Sequence, residues 1–228
     1  MEDRRITLDA RLSALAGLVG ECDRYADIGC DHGRLGAYLL QTNRVRRAIL
    51  SDISEDSLKK ARRLIGLLGL SDRVDFRVGD GAKVLDVPVD FTVIAGMGGT
   101  LIGKIIRDGR EHLGLSRLIL QPNVAAPELR RMLMECGYRI CDERVTRDGG
   151  RNYVVIAAEP GEASYTEREL IVGPMLLKKL PPSLAPYAAF RLRVAKKALL
   201  GAEKGGDTVQ AAALQHEIDI WEEVSKCL

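Results

Sequence analysis

The chain has 228 residues, of which 46% are hydrophobic and 29% are charged, and its 34 Lys and Arg nearly balance 32 Asp and Glu. This composition is typical of a globular protein with one full domain and a smaller second one, and it excludes a disordered chain. No apolar run approaches the ~20 residues that a transmembrane helix needs, and the charged start differs from a secretory signal, so we expect a cytoplasmic protein without membrane contact.

The first predicted element is a helix over residues 6–19, in which leucines recur at helical spacing and Arg4, Arg5 and Arg11 are left for the other face. From Tyr25 to Ala158, short β-type runs alternate with helical segments, which is the pattern of a parallel sheet in an α/β protein. The predicted strands cover residues 25–28, 47–51, 74–78, 91–95, 117–120, 138–145 and 153–158, and the helices between them cover residues 35–41, 54–68, 101–113 and 127–135.

Three local signals refine these elements. Ser54 predicts the N-cap of the helix over residues 54–68, and Gly137 predicts the C-cap of the helix over residues 127–135. The polar, Gly-containing turn at residues 147–151 predicts that the last two strands form an antiparallel hairpin. The predicted core is therefore a seven-stranded, mostly parallel sheet with a terminal antiparallel hairpin.

The C-terminal part differs in charge from the rest. Pro160-Gly161 predicts a boundary between domains 1–160 and 161–228. No acidic residue occurs between Leu170 and Ala202, whereas acidic residues dominate from residue 203 onwards. Gly201 and Gly205-Gly206 separate helical patterns at 187–200 and 209–224, which predicts a helical hairpin. Either its two arms pair with each other, or its basic arm, including Lys196 and Lys197, contacts nucleic acid.

The first strand ends in the sequence Asp27-Ile28-Gly29-Cys30-Asp31-His32-Gly33. A dinucleotide site would need G-x-G-x-x-G, with the pyrophosphate at the helix N-terminus, and two carboxylates beside this loop would repel a pyrophosphate. Carboxylates instead suit a ligand with a positive sulfonium and an ammonium group, which S-adenosylmethionine carries. We therefore predict S-adenosylmethionine as the cofactor.

Three further strand ends carry suitable residues. Asp52 stands 23 residues after Gly29, where an acidic side chain can accept hydrogen bonds from ribose hydroxyls. Asp80, between two glycines, offers an acceptor for an adenine amino group, and the fourth strand opens into a Gly-rich loop. Met97 in that loop either contacts the cofactor or only packs against its neighbours. The predicted cofactor-binding residues are Asp27, Gly29, Asp52, Ile53, Gly79, Asp80, Gly81, Ala95, Gly96 and Met97.

These residues, in this order, resemble the bacterial tRNA (adenine-22-N1)-methyltransferases, also called the TrmK family. The resemblance extends from about Leu8 to Glu159, and it is loosest after His32, where Gly33, Arg34 and Gly36 replace Ala, Tyr and Pro. Its most specific strings are Ala95-Gly96-Met97-Gly98-Gly99 and Leu118-Ile119-Leu120-Gln121-Pro122-Asn123, together with Asp27–His32, Gly79-Asp80-Gly81 and Tyr153.

The resemblance implies a class I Rossmann-like methyltransferase that methylates N1 of adenosine 22 in the D-arm of tRNA. Adenine N1 carries a lone pair, so orientation matters more than deprotonation. We predict that Asp31 is catalytic, because it can accept a hydrogen bond from the adenine N6 group as positive charge develops. His32, Gln121 and Asn123 are predicted substrate contacts, with Lys196 and Lys197 on the helical arm.

Each of these assignments has a structural alternative: Asp31 as the cap of the helix that begins near Gly33, His32 as an oriented packing residue, and Gln121-Pro122-Asn123 as only a strand-ending turn. Cys30 lacks the His and acid partners that a cysteine nucleophile needs, and five cysteines without C-x-x-C predict free thiols. Asp27, Asp31 and His32 have no second cluster of ligands beside them, so we predict no metal.

Two other functions remain open. One is a methyltransferase that uses the same cofactor on another RNA position, a small molecule or a protein. The other is an RNA-binding module with a vestigial cofactor site, and the intact Asp27, Gly29, Asp52 and Asp80 argue against it. Nothing in the sequence indicates an obligate protein partner.

Overall fold

The structure is a computed structural model that describes residues 5–228, so that Arg4 and the start of the chain lie outside the described residues. The chain divides into two compact units, of which the first ends at Ser164 and the second spans Tyr165–Leu228. The predicted boundary falls after residue 160. The first unit contains the sheet, and the second consists of helices.

The first unit is built on a seven-stranded sheet with the order β3-β2-β1-β4-β5-β7-β6. Strands β1 to β5 run parallel, whereas β7 is antiparallel to β5 and β6 is antiparallel to β7. The predicted mostly parallel sheet with a terminal hairpin is thus confirmed. The strands are β1 (Cys22–Ile28), β2 (Val45–Asp52), β3 (Val74–Val78), β4 (Phe91–Met97), β5 (Arg117–Pro122), β6 (Tyr138–Asp148) and β7 (Arg151–Pro160).

The strand order reverses at β1, which pairs with β2 on one side and β4 on the other. The chain first builds outwards from β1 to β2 and β3, then returns to place β4 and β5 on the opposite side. Connections after β1 and β4 therefore leave the sheet in different directions and open a crevice beyond the carboxyl ends of these strands. Such a crevice is where open α/β sheets bind their ligands.

Helices cover the sheet, and their apolar sides supply the core together with Tyr25, Leu50 and Val93. The Ser54 hydroxyl accepts a hydrogen bond from Ser57 N, as expected for the predicted N-cap. The helices of this unit are α1 (Ala10–Ala16), α2 (Arg34–Gln41), α3 (Glu55–Leu67), α4 (Gly99–Asp108), α5 (Arg110–Leu113) and α6 (Ala126–Glu135).

Two helix predictions were wrong in extent. The helix predicted over residues 6–19 is limited to α1, because Asp9 caps it by accepting from Leu12 N and the helix ends at Gly17. Ile6 and Leu8 still pack against the core, although they are not helical. The helix predicted over residues 101–113 is divided into α4 and α5 at Gly109, where an added Cβ would lie only 2.6 Å from the Ala82 Cβ.

The second unit contains the predicted helical hairpin. Its turn lies at Gly206, with φ of 71°, and Asp207 caps the second arm by accepting from Gln210 N. The prediction that Gly201 interrupts the first arm was wrong, because Gly201 lies inside it. Short helices α7 and α8, which the sequence did not predict, precede the arms. The helices are α7 (Glu167–Val172), α8 (Pro174–Lys179), α9 (Leu184–Gly205) and α10 (Thr208–Lys226).

The arms of the hairpin pair through both apolar and charged contacts. Trp221 is fully buried and meets the Tyr187 ring edge-on, with 5.6 Å between ring centres. Arg191 donates to Glu217 at 2.6 Å, and Lys196 to Glu222 at 2.7 Å. Within the described part of the chain, no helix is both long and apolar enough to span a membrane.

Candidate functional site

A cavity of about 740 Å³ lies in the first unit, beyond the carboxyl ends of β1, β2 and β4. It occupies the crevice at which the strand order reverses. Because consecutive parallel strands end at the same edge of the sheet, residues far apart in sequence meet there. All ten predicted cofactor-binding residues line this cavity: Asp27, Gly29, Asp52, Ile53, Gly79, Asp80, Gly81, Ala95, Gly96 and Met97.

The loop after β1 is held by backbone hydrogen bonds. Gly29 N and Cys30 N both donate to Ser51 O, at 2.8 and 2.9 Å. Gly29 has φ of 75°, which favours glycine, and a Cβ at this position would displace the terminal methyl group of Met97. Asp31 also adopts a left-handed conformation, with φ of 48°. The loop therefore turns tightly and leaves its backbone open to the cavity.

Asp27 is a carboxylate that is 5% exposed at the base of the cavity. Its pKa is raised to about 7, chiefly by burial and in smaller part by the nearby Asp52 charge, although the Tyr25 hydroxyl and the Arg11 guanidinium oppose this rise. A buried carboxylate that protonates near neutral pH lacks sufficient positive charge around it. A cationic ligand in the cavity would supply that charge and favour the ionised form.

Asp52, at the end of β2, makes hydrogen bonds with the loops that follow β1 and β3. Its Oδ1 accepts from Ser54 N at 2.9 Å and its Oδ2 accepts from Asp31 N at 3.2 Å, which fixes the carboxylate. The Asp52 backbone oxygen in turn accepts from Gly79 N at 3.1 Å, so that the loop after β3 lies next to the end of β2. This loop carries Asp80, whose exposed side chain lines the cavity.

On the other side of the cavity, the Asn123 amide is held at both ends. Its Nδ2 donates to Gly96 O at 2.7 Å and its Oδ1 accepts from Gln121 Nε2 at 3.0 Å. The Gln121 Oε1 accepts from Arg11 Nη1 at 3.1 Å. An amide oxygen accepts two hydrogen bonds and an amide nitrogen donates two, so each end of Asn123 retains one for a ligand.

This arrangement corrects the predicted role of Gln121. Its side chain is fully buried and does not line the cavity, because both ends of its amide are bonded to Arg11 and Asn123. Gln121 therefore supports Asn123 rather than contacting a substrate. Asn123 is exposed and lines the cavity, as a substrate-contacting residue requires.

Asp31 and His32 stand together at the cavity mouth. His32 Nδ1 lies 3.0 Å from Asp31 Oδ2, and their side chains are 51% and 69% exposed. The packing alternative for His32 is therefore wrong. The capping alternative for Asp31 is also wrong, because Gly33 is the N-cap of α2 and no described side chain makes a capping hydrogen bond at this end of the helix. Both side chains line the cavity, in reach of a ligand.

The cavity also includes cations that the sequence analysis did not assign to it. Arg11 was placed on the outer face of the first helix, yet it lies 5.9 Å from the centre of the Tyr153 ring. Arg151 was placed in the hairpin turn, whereas it begins β7 and lines the cavity. Spacing along the chain carries no signal for such contacts, since Arg11 meets a residue 110 positions away.

Three other predictions concern the cysteines, metal binding and the lysines of the second unit. All five cysteines are free thiols, and burial raises the pKa of the Cys30 thiol, which disfavours its use as a nucleophile. Among residues 5–228, no group of three or more His, Cys, Asp or Glu is arranged to hold a metal ion. Lys196 and Lys197 lie on α9 in the second unit, where Lys196 is paired with Glu222.

The sheet order and the carboxylates around the switch-point cavity define a Rossmann-like methyltransferase, and the family described as "Methyltransferase domain" matches residues 8–156. The tRNA (adenine(22)-N(1))-methyltransferase of Bacillus subtilis is 35% identical over 182 residues, which are 76% of this chain and 76% of that protein. The chain belongs to the family of the tRNA (adenine(22)-N(1))-methyltransferases.

Solved structures agree in fold across nearly the whole chain. The Bacillus subtilis m1A22 tRNA methyltransferase TrmK has a TM-score of 0.86 and 28% identity, with 97% of this chain and 100% of that chain covered. The Streptococcus pneumoniae protein Sp1610 in complex with S-adenosyl-L-methionine has a TM-score of 0.85 and 27% identity, with 94% and 98% covered. The likeness includes the C-terminal helices, which resemble the family only in outline at the level of sequence.

Proposed function

We propose that this protein transfers a methyl group from S-adenosylmethionine to N1 of adenosine 22 in tRNA. The observation that carries the proposal is the ring of carboxylates around one switch-point cavity, with Asp27 buried at its base. The family to which the chain belongs supports the same reaction. A Streptococcus pneumoniae relative of the same fold has been solved with S-adenosyl-L-methionine.

The residues of the cavity fit this cofactor. S-adenosylmethionine supplies an electrophilic methyl group on a sulfonium, and it carries an ammonium group, two ribose hydroxyls and an adenine amino group. Asp27 would offer the ammonium a carboxylate that is otherwise costly to ionise. Asp52, fixed by Ser54 N and Asp31 N, retains acceptor positions for the ribose hydroxyls, and Asp80 accepts from the adenine amino group. We call Asp27, Asp52 and Asp80 the donor side.

The target adenine would lie against Asp31 and Asn123, which we call the base side. Asp31 accepts a hydrogen bond from N6, and the Asn123 amide offers the base a further hydrogen-bond partner. Neither residue has to remove a proton from N1, because N1 reacts through its lone pair. As the N1–CH₃ bond forms and the bond between the methyl group and the sulfonium sulfur breaks, the positive charge passes from sulfur to N1 and N6 of the adenine, where the Asp31 carboxylate would stabilise it. The residues of the base side therefore act by orientation and charge.

The second unit would bind tRNA through its basic arm. Lys196 and Lys197 are exposed on α9, and Lys196 forms an ion pair with Glu222, with 2.7 Å between Nζ and Oε1. An ion pair between exposed side chains is weak, so Lys196 can exchange this partner for a phosphate at small cost. In this division of labour the first unit holds the cofactor and target base, and the second adds affinity for the RNA.

The test uses two unmodified tRNA transcripts that differ only at position 22, with adenosine in one and guanosine in the other. Incubation with methyl-labelled S-adenosylmethionine is expected to label only the adenosine transcript. Label on both transcripts would retain the methyltransferase but move its target. Label on neither would contradict the proposed substrate.

A further inference from the structure

The cavity carries cations as well as carboxylates, and the two groups come from different parts of the sheet. Asp52 ends β2 and Asp80 follows β3, at one end of the strand order. Arg151 lies on β7, beyond β4 and β5 on the other side of β1. A ligand that carries cationic groups and a ligand that carries phosphates would therefore meet opposite charges at different walls of the cavity.

Three arginines line the cavity, but two of them are engaged within the first unit. Arg11 Nη1 donates to Gln121 Oε1 at 3.1 Å, and Arg34 Nη2 donates to Thr7 O at 2.7 Å. The Arg151 side chain is exposed and makes no hydrogen bond or ion pair with any residue in the described range 5–228. Among the described arginines of the cavity, Arg151 is thus the one that keeps all of its guanidinium N–H donors for an external anion.

Arg151 stands beside an aromatic ring. Side chains two positions apart in a strand point to the same face, so Arg151 and Tyr153 share one face of β7, and both line the cavity. Arg11 lies on the Tyr153 ring at 5.9 Å from its centre. The wall opposite the carboxylates therefore offers a guanidinium at its rim and a half-buried ring behind it, a combination suited to the phosphates and bases of an RNA strand.

We propose that Arg151 binds the phosphodiester next to the target nucleotide, and so holds the RNA strand at the cavity mouth. This inference rests on the proposed function, since it assumes an RNA substrate. The carboxylate of S-adenosylmethionine is the competing anion, and Arg11 is better placed for it, because Arg11 lies near Asp27 whereas Arg151 starts the strand beside the exposed Gly149-Gly150 turn. A guanidinium binds a phosphate through two parallel hydrogen bonds.

The hairpin provides a matched control. Arg147 is also exposed and makes no side-chain hydrogen bond or ion pair with a residue of the described chain. It pairs in register with Asn152, whereas Arg151 pairs with Asp148, so Arg147 and Arg151 occupy opposite faces of the hairpin. Replacing either residue with Gln removes one charge from the same turn region, and only Arg151 lines the cavity.

The experiment compares Arg151→Gln, Arg151→Lys and Arg147→Gln in the full-length protein. We measure KM and kcat for an unmodified tRNA transcript, the Kd of S-adenosylmethionine by calorimetry, and the salt dependence of tRNA binding. Arg151→Gln is expected to raise the KM for tRNA about tenfold and to reduce the slope of log K against log salt by about 1, with the Kd of the cofactor unchanged. Arg151→Lys should recover part of the loss, and Arg147→Gln should resemble the wild type.

Three results would overturn the inference. Equal effects of Arg151→Gln and Arg147→Gln would reduce it to nonspecific charge. A weaker Kd for S-adenosylmethionine with unchanged KM for tRNA would make Arg151 a cofactor ligand. Wild-type behaviour of Arg151→Gln would leave it without a role in binding. A failure of the proposed function is distinguished by the wild-type enzyme, which would then methylate no tRNA and remove the inference with it.

Discussion

The donor side and the base side of the cavity are built in different ways. On the donor side, Asp27 lies in β1, Asp52 ends β2 and Asp80 follows β3. Backbone groups fix Asp52, which accepts from two backbone N–H groups at its carboxylate and from Gly79 N at its carbonyl. On the base side, Asn123 is held by a chain of side chains that reaches Arg11 on α1. The donor side therefore depends on the sheet topology, whereas the base side depends on side-chain packing between distant segments.

The largest effect is expected on the base side. Asp31 has φ of 48°, and Asn tolerates this conformation, so Asp31→Asn removes the charge with little backbone strain. Loss of the carboxylate that stabilises the developing charge should lower kcat about hundredfold. Turnover is measured with saturating tRNA and S-adenosylmethionine. An unchanged kcat would remove Asp31 from the mechanism.

A pH dependence is expected on the donor side. The pKa of Asp27 is raised to about 7 in the unliganded protein, and only the ionised form attracts the cationic cofactor. Raising the pH from 6 to 8 should therefore tighten the binding of S-adenosylmethionine about tenfold, because one proton must leave before binding at the lower pH. Calorimetric titration at both values measures this change. In Asp27→Asn, the affinity should be lower at pH 8 and this dependence on pH should be absent.

The next effect on kcat is expected from the hydrogen bonds that link Asn123 through Gln121 to Arg11. Arg11→Met removes one charge-assisted hydrogen bond to Gln121 and leaves Asn123 less firmly oriented, which should lower kcat about tenfold. Assays at high pH and saturating cofactor avoid the indirect effect of Arg11 on Asp27. Gln121→Met breaks the same chain, so the double variant should lose little more activity than either single variant. Strictly additive losses would mean that Arg11 and Gln121 act separately.

The smallest effect is expected in the second unit. Reversing the charge at Lys196 and Lys197 together should weaken tRNA binding about threefold at physiological salt, with the Kd of S-adenosylmethionine unchanged. Glu222 then loses its partner, so a matched variant, Glu222→Gln, reports the cost of the ion pair alone. Unaltered tRNA affinity in the double Lys variant would leave α9 a structural role.

The contrast between the two sides also explains what the sequence could predict. Strand periodicity and the residues that follow each strand located the sheet and all ten cavity residues of the cofactor set, because parallel strands end at one edge. Gln121 was assigned to the substrate because its burial depends on Arg11, which is 110 residues away. The extent of α1 was overestimated because Ile6 and Leu8 pack on the core without being helical.

Whether a glycine interrupts a helix also depended on contacts that the sequence does not reveal. Gly109 divides a predicted helix, and the neighbouring Ala82 leaves no room for a Cβ at this position. Only the folded structure brings Gly109 and Ala82 together. Gly201 was predicted to break α9, yet it lies within the helix, because the hairpin turn is made at Gly206. The effect of a glycine thus depends on neighbours that the sequence does not specify.

The division of the cavity into a donor side and a base side is tested most directly by titrating S-adenosylmethionine into Asp52→Asn and Asp31→Asn. Both variants remove one carboxylate charge from the same cavity, and Asp52 and Asp31 are joined by a single hydrogen bond. We predict that Asp52→Asn weakens cofactor binding at least tenfold, whereas Asp31→Asn changes the Kd by less than about threefold. Equal losses in the two variants, or a larger loss in Asp31→Asn, would contradict the division.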